Sequence, residues 1–156
     1  MVAKTNKRTI AKEQLEDGLD LLLRGRYISA LTLLGAAEEV LARLVEAEGG
    51  VHPMDEMWQQ VNKLSRAKGQ GEISKRGMYR RFNEPRNSVK HHTPGDPTSV
   101  TLFKVGAAAM MSIRATEAAA KLKLSYRLQK EHEQWLKDQG FISPPPAEPD
   151  QRSLYE

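Results

Sequence analysis

The sequence predicts an all-α protein, an up-and-down bundle of four main helices with one additional short helix. Apolar residues recur at intervals of three and four, β-branched runs are scarce, and glycine and proline divide the chain at helix-length intervals. At 156 residues the chain is long enough for one domain with its own core. It contains no cysteine, which excludes disulfides, thiol nucleophiles and cysteine-based zinc sites.

The first two predicted helices are the most apolar. The first covers 9–24 and is ended by Gly25, with its buried side formed by Ile10, Leu15, Leu19, Leu22 and Leu23. The second covers 26–48 and is ended by Gly49-Gly50. Its apolar stripe consists of Leu31, Leu34, Glu38, Leu41 and Val45.

A short helix and a basic helix follow. Pro53 suits the first turn of a helix over 53–67, and the glycines in 68–71 predict a loop. The basic helix covers 73–91, and we expect a kink at Pro85, which has no amide hydrogen to donate.

The last core helix follows a turn at 92–95. Asp96 is a good N-cap and Pro97 fits the first turn, so we expect the helix to begin there and to reach at least Lys123, continuing as far as Trp135. Its expected buried face consists of Leu102, Val105, Ala109, Ile113 and Ala120.

Composition divides the chain into four segments: a basic N-terminal arm over 1–8, the helical bundle over 9–124, a helical extension over 125–139 and a Pro-rich flexible tail over 140–156. No segment has the roughly 18 apolar residues of a membrane span, and the N-terminus lacks the apolar core of a secretory signal. We therefore expect a cytoplasmic protein without a membrane partner.

Positive charge is concentrated in the middle of the chain. Between Lys63 and His91, nine basic residues face two carboxylates, a local charge of +7. Such a field points to an anionic partner, above all RNA or a nucleotide. The candidate phosphate-binding residues are Lys75, Arg76, Arg80, Arg81 and Lys90. For any one of them, ordinary solvation of a helix surface is the simpler interpretation.

Two charges interrupt apolar stripes. Glu38 lies in the middle of its stripe, and Arg86 follows Tyr79 and Phe82 in the basic helix. Because an unpaired charge in a core is costly, we expect Glu38 and Arg86 to pair with each other or to share a ligand. The alternative is an ion pair that only fixes the register of the bundle.

Arg114 is a third charge among apolar neighbours. It lies close to Met110, Met111 and Ile113, and Glu38, Glu39 and Glu117 are its candidate partners. The alternative is a solvated helix face, or a pair with Glu117 three residues later.

The segment Arg86-Asn87-Ser88-Val89-Lys90-His91 resembles the Arg-x(4–6)-His motif of HEPN domains (higher eukaryotes and prokaryotes nucleotide-binding). A polar residue, often asparagine, follows the arginine in that family, as Asn87 does. Residues 25–39 resemble the long second helix of small bacterial HEPN-like proteins, among them abortive-infection proteins. The resemblance covers roughly 9–123 and implies a helical bundle.

The resemblance also implies a metal-independent endoribonuclease, a homodimer whose two motifs face each other in a composite site. The ribose 2′-hydroxyl would attack the adjacent phosphorus, with His91 transferring protons and Arg86 clamping the phosphate. Asn87 would donate to the phosphate or orient His91. Glu38, with its neighbour Glu39, would hold Arg86 in place.

The sequence leaves open whether His91 or His92 is the functional histidine. His91 fits the commoner Asn-x3-His form, and His92 fits the wider spacing as an auxiliary group. On an ideal helix Arg86 and His91 diverge by roughly 140°, so they converge only if the helix loosens near its end. We expect no cofactor, and the spacing of His91, His92 and Asp96 does not suit a metal site.

Three functions follow from these observations. The first is an HEPN-type ribonuclease in phage defence, a toxin system or a stress response, with a possible antitoxin or regulator. The second is a non-catalytic HEPN-like module that binds nucleotide or RNA. The third is a helical interaction protein whose basic helix docks an acidic partner.

Overall fold

The computed structural model describes residues 4–143, which form six α-helices and no strand. The all-α helical bundle is therefore confirmed. None of these helices is long and apolar enough to cross a membrane. The Pro-rich segment from 144 onwards and residues 1–3 of the predicted arm lie outside the described residues. The helices are α1 (Lys7–Leu23), α2 (Tyr27–Ala47), α3 (Pro53–Ala67), α4 (Lys75–Lys90), α5 (Lys104–Lys121) and α6 (Gln129–Asp138).

The core is built around α2, which packs along both α1 and α5. All five residues of its predicted stripe are buried, including Glu38. Gly18 lets α1 approach closely, because a Cβ there would lie 2.7 Å from Cγ of Leu34. In α1, Leu15, Leu19 and Leu22 are buried as predicted, whereas Ile10 and Leu23 are only partly buried.

The fourth main helix of the prediction, α4, lies at the periphery. It contacts α2 and α3, and Met78 is its one fully buried residue in the described structure. Pro85 lies inside α4 without ending it. Because so little of α4 is buried, its position depends on a few specific contacts, which are described below.

The predicted start of the last core helix is wrong. Asp96 does not cap a helix, because its carboxylate accepts a hydrogen bond from the Thr93 amide at 2.7 Å and closes the preceding turn. The chain stays non-helical until Phe103, the N-cap of α5. The Ser, Thr and Val residues over 98–101 have lower helix propensity than the alanine-rich sequence that follows.

The predicted buried face of α5 is also largely wrong. Of the five expected residues only Ala109 is fully buried, and Ala120 is exposed. The buried residues of α5 are mostly small, which allows close approach to α2, its main neighbour. They are Gly106, Ala108, Ala109, Met111, Ser112, Arg114, Ala115, Ala118 and Ala119.

The chain does not continue as one helix to Trp135, so the predicted extension over 125–139 is a separate helix, α6. Lys123 and Leu128 adopt left-handed backbone conformations, with φ of 52° and 67°, and redirect the chain so that α6 packs on α1. Glu16 of α1 anchors this connection by accepting hydrogen bonds from the backbone amide of Arg127 at 2.9 Å and from its Nε at 3.0 Å.

A buried histidine attaches α6 to α5. His132 Nε2 lies 2.8 Å from Ser112 Oγ, and both residues are buried. The Ser112 hydroxyl donates to Ala109 O at 2.7 Å, so it accepts a hydrogen bond from His132. Burial lowers the pKa of His132 to about 4, an effect that the charge of Glu133 only partly offsets.

We predict that acid destabilises the fold through His132. The unfolded chain takes up this proton near pH 6.5 and the folded chain only near pH 4, so stability present above pH 6.5 is lost as the pH falls between these values. Urea unfolding at pH 7 and pH 4.5 should show a smaller loss for His132→Gln than for the wild type. The exposed His92 provides the control, because His92→Gln should keep the wild-type loss. Equal losses in all three proteins would contradict the prediction.

Candidate functional site

Glu38 and Arg86 do not pair, contrary to the sequence-based prediction. Glu38 Oε1 instead lies 2.8 Å from Nη2 of Arg114, and these side chains are 4% and 3% exposed. The reason is the packing of the helices: Arg114 lies on the face of α5 that packs on α2, whereas Arg86 approaches α2 from the peripheral helix α4. The pair with Glu38 was one of the alternatives considered for Arg114.

The same guanidinium also holds α4. Arg114 Nη2 donates to Asn83 Oδ1 at 3.0 Å, and Nη1 donates to the backbone oxygen of Phe82 at 3.2 Å. One buried cation therefore joins three helices, α2 through Glu38, α4 through Phe82 and Asn83, and its own helix α5. Its Nε is buried and has no hydrogen-bond partner among residues 4–143.

Arg86 lies against α2 on a surface made by a glycine. A Cβ at Gly35 would be 2.3 Å from Cδ of Arg86, so only glycine allows this approach. Arg86 Nη1 donates to Gly35 O and to Glu39 Oε2, each at 3.2 Å. The carboxylate that contacts Arg86 is thus Glu39 and not Glu38. The Arg86 side chain is 14% exposed and that of Glu39 is 59% exposed.

His91 lies at the end of α4 in different surroundings. It is the C-cap, with an extended backbone, and its amide donates to Asn87 O at 3.0 Å. His91 and His92 are exposed and line a groove of about 590 Å³ between the end of α4 and the segment 96–100. Arg86 does not line this groove. α4 extends as far as Lys90, and within one chain Arg86 contacts α2 whereas His91 lines this groove.

Most of the predicted cations of α4 carry uncompensated charge. Lys75 pairs with Asp55 at 2.8 Å, but Arg76, Arg80, Arg81 and Lys90 are exposed, and no carboxylate in the described part of the chain lies within 4.0 Å of them. On an ideal helix, three of these cations and Asn87 fall within an arc of about 80°. We call this set the α4 cationic face: Arg76, Arg80, Asn87 and Lys90.

The N-terminal half of α4 is fixed by a cluster that the sequence did not reveal. The Tyr79 hydroxyl donates to Asp55 Oδ1 at 2.5 Å and lies 3.3 Å from His52 Nδ1, which caps α3 by accepting from the Met54 amide. Burial and the bond to Asp55 raise the pKa of Tyr79 well above its usual value. The cluster holds α4 against α3 and leaves the α4 cationic face exposed.

The candidate metal ligands are not gathered into a site. His91, His92 and Asp96 line one groove, but no group of three or more His, Asp or Glu side chains within residues 4–143 is arranged to hold a metal ion.

We predict that Glu38 and Arg114 are coupled strongly and that Arg86 is not part of the pair. Glu38→Leu and Arg114→Met should each lower the free energy of unfolding by about 3–5 kcal/mol, because each leaves a buried charge alone, and the double variant should cost less than their sum. Urea denaturation followed by circular dichroism measures the cycle. Arg86→Ala, which removes a partly exposed arginine, should cost less than either single variant. A loss as large as that of Arg114→Met would contradict this assignment.

We also predict that the effect of Gly35→Ala changes sign with residue 86. In the wild type it should destabilise by about 1–3 kcal/mol, since the new methyl group collides with Arg86. In an Arg86→Ala background it should stabilise by up to about 1 kcal/mol, because alanine favours a helix interior over glycine. Thermal and urea unfolding of the four proteins check this. Stabilisation in both backgrounds would show that Arg86 does not lie on Gly35.

Comparisons of this chain with protein-family models, with curated proteins and with solved structures found no match.

Proposed function

We propose that the protein binds RNA on the α4 cationic face and cleaves it without a metal ion, with His91 transferring protons. The observation that carries this proposal is the α4 cationic face itself. Its three cations have no acidic partner in the described residues, and the same helix ends at two exposed histidines. This supports the proposal, because Lys90 of the α4 cationic face lines the same groove as His91 and His92.

The arrangement of the charges favours a polyanion. Arg76 and Lys90 are about 21 Å apart along an α-helix, long enough to contact successive phosphates of one strand. Glu84 is the only acidic residue of α4, and Lys75 is already neutralised by Asp55. Cations of this kind bind a phosphate backbone largely by releasing its counterions, which requires no particular sequence.

The chemistry follows from the 2′-hydroxyl of RNA. Its oxygen attacks the adjacent phosphorus, the bond to the 5′-oxygen breaks, and the products carry a 2′,3′-cyclic phosphate and a 5′-hydroxyl. One group takes the proton of the 2′-hydroxyl and another gives a proton to the leaving oxygen. His91 and His92 line the same groove, so both are open to a substrate at that position. We assign the principal role to His91 and an auxiliary role to His92.

Arg86 takes the clamping role of this proposal only in a homodimer. Its Nη1 is occupied by Gly35 and Glu39, and its Nη2 has no hydrogen-bond partner within residues 4–143. Since Arg86 and His91 of one chain do not share a groove, a composite site needs the arginine of a second chain. Asn87, on the α4 cationic face, would donate to a phosphate. Glu38 acts only indirectly, by positioning α4 through Arg114.

A second candidate function is binding of RNA or a nucleotide without cleavage. The separation of Arg86 from His91 within one chain favours it, because binding needs only the cations. A role in phage defence, a toxin system or a stress response, with an antitoxin or regulator, is the part of the proposal that rests on the HEPN resemblance alone.

We predict cleavage of single-stranded RNA in excess EDTA, with 2′,3′-cyclic phosphate ends. His91→Ala should reduce the rate by about 10²–10⁴-fold, the usual contribution of a general acid or base. Arg86→Ala should also abolish cleavage, and His92→Ala should have the smaller effect of the two histidine variants. Denaturing gels and analysis of the product ends measure this. Full activity in the His91 or Arg86 variant would remove that residue from the mechanism.

Binding is tested separately with 2′-O-methyl RNA, which lacks the attacking hydroxyl. Arg76→Ala combined with Arg80→Ala should weaken binding and reduce the slope of log K against log salt by about one per lost phosphate contact. Arg24→Ala is the control, because Arg24 is exposed but pairs with Asp20 on α1. Binding without cleavage would establish the second candidate. Absence of binding would overturn both and favour an acidic protein partner.

A further inference from the structure

A polar pocket of about 490 Å³ lies at the N-terminal end of α4, between this helix, the second half of α2 and the start of α3. Five charged side chains and one phenol form its walls. They are Arg43, Glu46, Asp55, Lys75, Arg76 and Tyr79. Three cations thus face two carboxylates, so the pocket carries one positive charge in excess. The functions assigned above use Arg76 but not the pocket.

The more buried carboxylate of the pocket is fully engaged by its neighbours. Asp55 accepts hydrogen bonds from Lys75 Nζ at 2.8 Å and from the Tyr79 hydroxyl at 2.5 Å. Burial opposes the charge of Asp55, but these two bonds outweigh it and lower the pKa of the carboxyl. The negative charge of Asp55 is therefore compensated within the pocket, and it does not exclude an anion from the neighbouring cations.

The other carboxylate, Glu46, holds its cation only loosely. It pairs with Arg43 at 2.8 Å, three residues earlier on α2, and the side chains are 38% and 71% exposed. Exposed pairs of this kind contribute little, because water and salt compete with them. A phosphate group can therefore take Arg43 from Glu46, and a guanidinium binds two phosphate oxygens at once. Arg76, on the facing helix, has no carboxylate within 4.0 Å in the described part of the chain.

Arg76 joins this pocket to the α4 cationic face. It lines the pocket, whereas Lys90, at the other end of the face, lines the groove of His91 and His92. On an ideal helix Tyr79 lies about 60° from Arg76, so the pocket adjoins the arc of the face. A strand that follows the face away from the histidines therefore arrives at this pocket.

We propose that this pocket binds the terminal phosphate group of an RNA strand. Arg43 and Arg76 contact its oxygens from α2 and α4, and Lys75 adds positive charge. A terminal phosphate carries about two negative charges near pH 7, whereas an internal phosphate carries one, so it competes better with Glu46 for Arg43. The inference rests on the proposed RNA-binding function. It adds that one end of the strand is held while an internal phosphate faces the histidines.

The experiment measures the binding of 2′-O-methyl oligouridylates by fluorescence anisotropy. One oligomer carries a 5′-phosphate and one a 3′-phosphate, each with the fluorophore on the opposite end. The reference has no terminal phosphate but is two nucleotides longer, so that all three carry about the same charge. One phosphorylated oligomer should bind the wild-type protein about tenfold more tightly than the reference, as expected for charge-assisted hydrogen bonds. The tighter of the two identifies the end of the strand that the pocket holds.

The variants test whether the preference comes from the pocket. Arg43→Ala should abolish it and leave the fold intact, because this side chain is mostly exposed. The reference should keep its affinity, since Arg43 is not part of the α4 cationic face. Glu46→Gln should increase the preference, because it releases Arg43. Arg24→Ala is the matched control: Arg24 pairs with Asp20 on α1 at 3.0 Å, with side chains 70% and 44% exposed.

The outcomes separate the pocket from the proposed function. Equal affinity of the three oligomers for the wild type would overturn the pocket and leave RNA binding by the α4 cationic face standing. A preference that persists in Arg43→Ala, or that Arg24→Ala abolishes equally, would also overturn the pocket. Absence of binding to all three oligomers would overturn the pocket together with the proposed function.

Discussion

The buried guanidinium of Arg114 is the constraint on which the candidate site depends. It pairs with Glu38 of α2 and bonds to two residues of α4, so a single side chain of α5 sets the positions of three helices. α4 has little buried surface of its own and relies on such contacts. The cations, the asparagine and the histidines of the proposed function lie on α4 or directly after it. A pair buried to this degree contributes little net stability, because desolvation offsets most of its attraction, but removing one partner leaves an uncompensated charge. Its consequence here is positional: it fixes where α4 lies.

The two neighbouring glutamates of α2 pair with different arginines: Glu38 with Arg114, and Glu39 with Arg86. Adjacent residues of a helix point about 100° apart, so Glu38 faces the core and α5 while Glu39 faces α4 and solvent. Arg114 therefore has a structural role, since its bonds join α2, α4 and α5. Arg86 pairs with an exposed carboxylate, and such pairs are weak and easily exchanged for a phosphate. Gly35 supports this division, because it lets the stem of Arg86 lie on α2 with the end of the guanidinium near the surface.

The sequence predicted features of single helices, such as the buried stripe of α2 and the bounds of α3, better than the contacts between helices. The spacing of apolar residues identified the buried stripe of α2, and Pro53 with the glycines after Lys68 correctly bounded α3. The sequence showed that Glu38 needs a cationic partner but not which residue this is. Periodicity identifies the buried face of one helix, but it does not identify the helix that packs against that face. The buried face of α5 was missed because the prediction looked for large apolar residues. Alanine and glycine also form a buried face where two helices pack closely. Gly35 was a readable signal: a glycine in a helix interior is unfavourable, and close approach of another group explains it.

The geometry of α4 limits how Arg86 and His91 can act together. α4 extends to Lys90, and its contact with α2 keeps Arg86 on the inner side, while His91 begins an extended segment that lines a separate groove. Loosening the end of α4 moves His91 but not Arg86, which lies five residues before His91 and is held by Gly35 and Glu39. Bringing both groups of one chain to the same phosphate would therefore require the Arg86 guanidinium to exchange its bonds to Gly35 and Glu39 for that phosphate. In the proposed homodimer, a second chain supplies the missing group without that exchange.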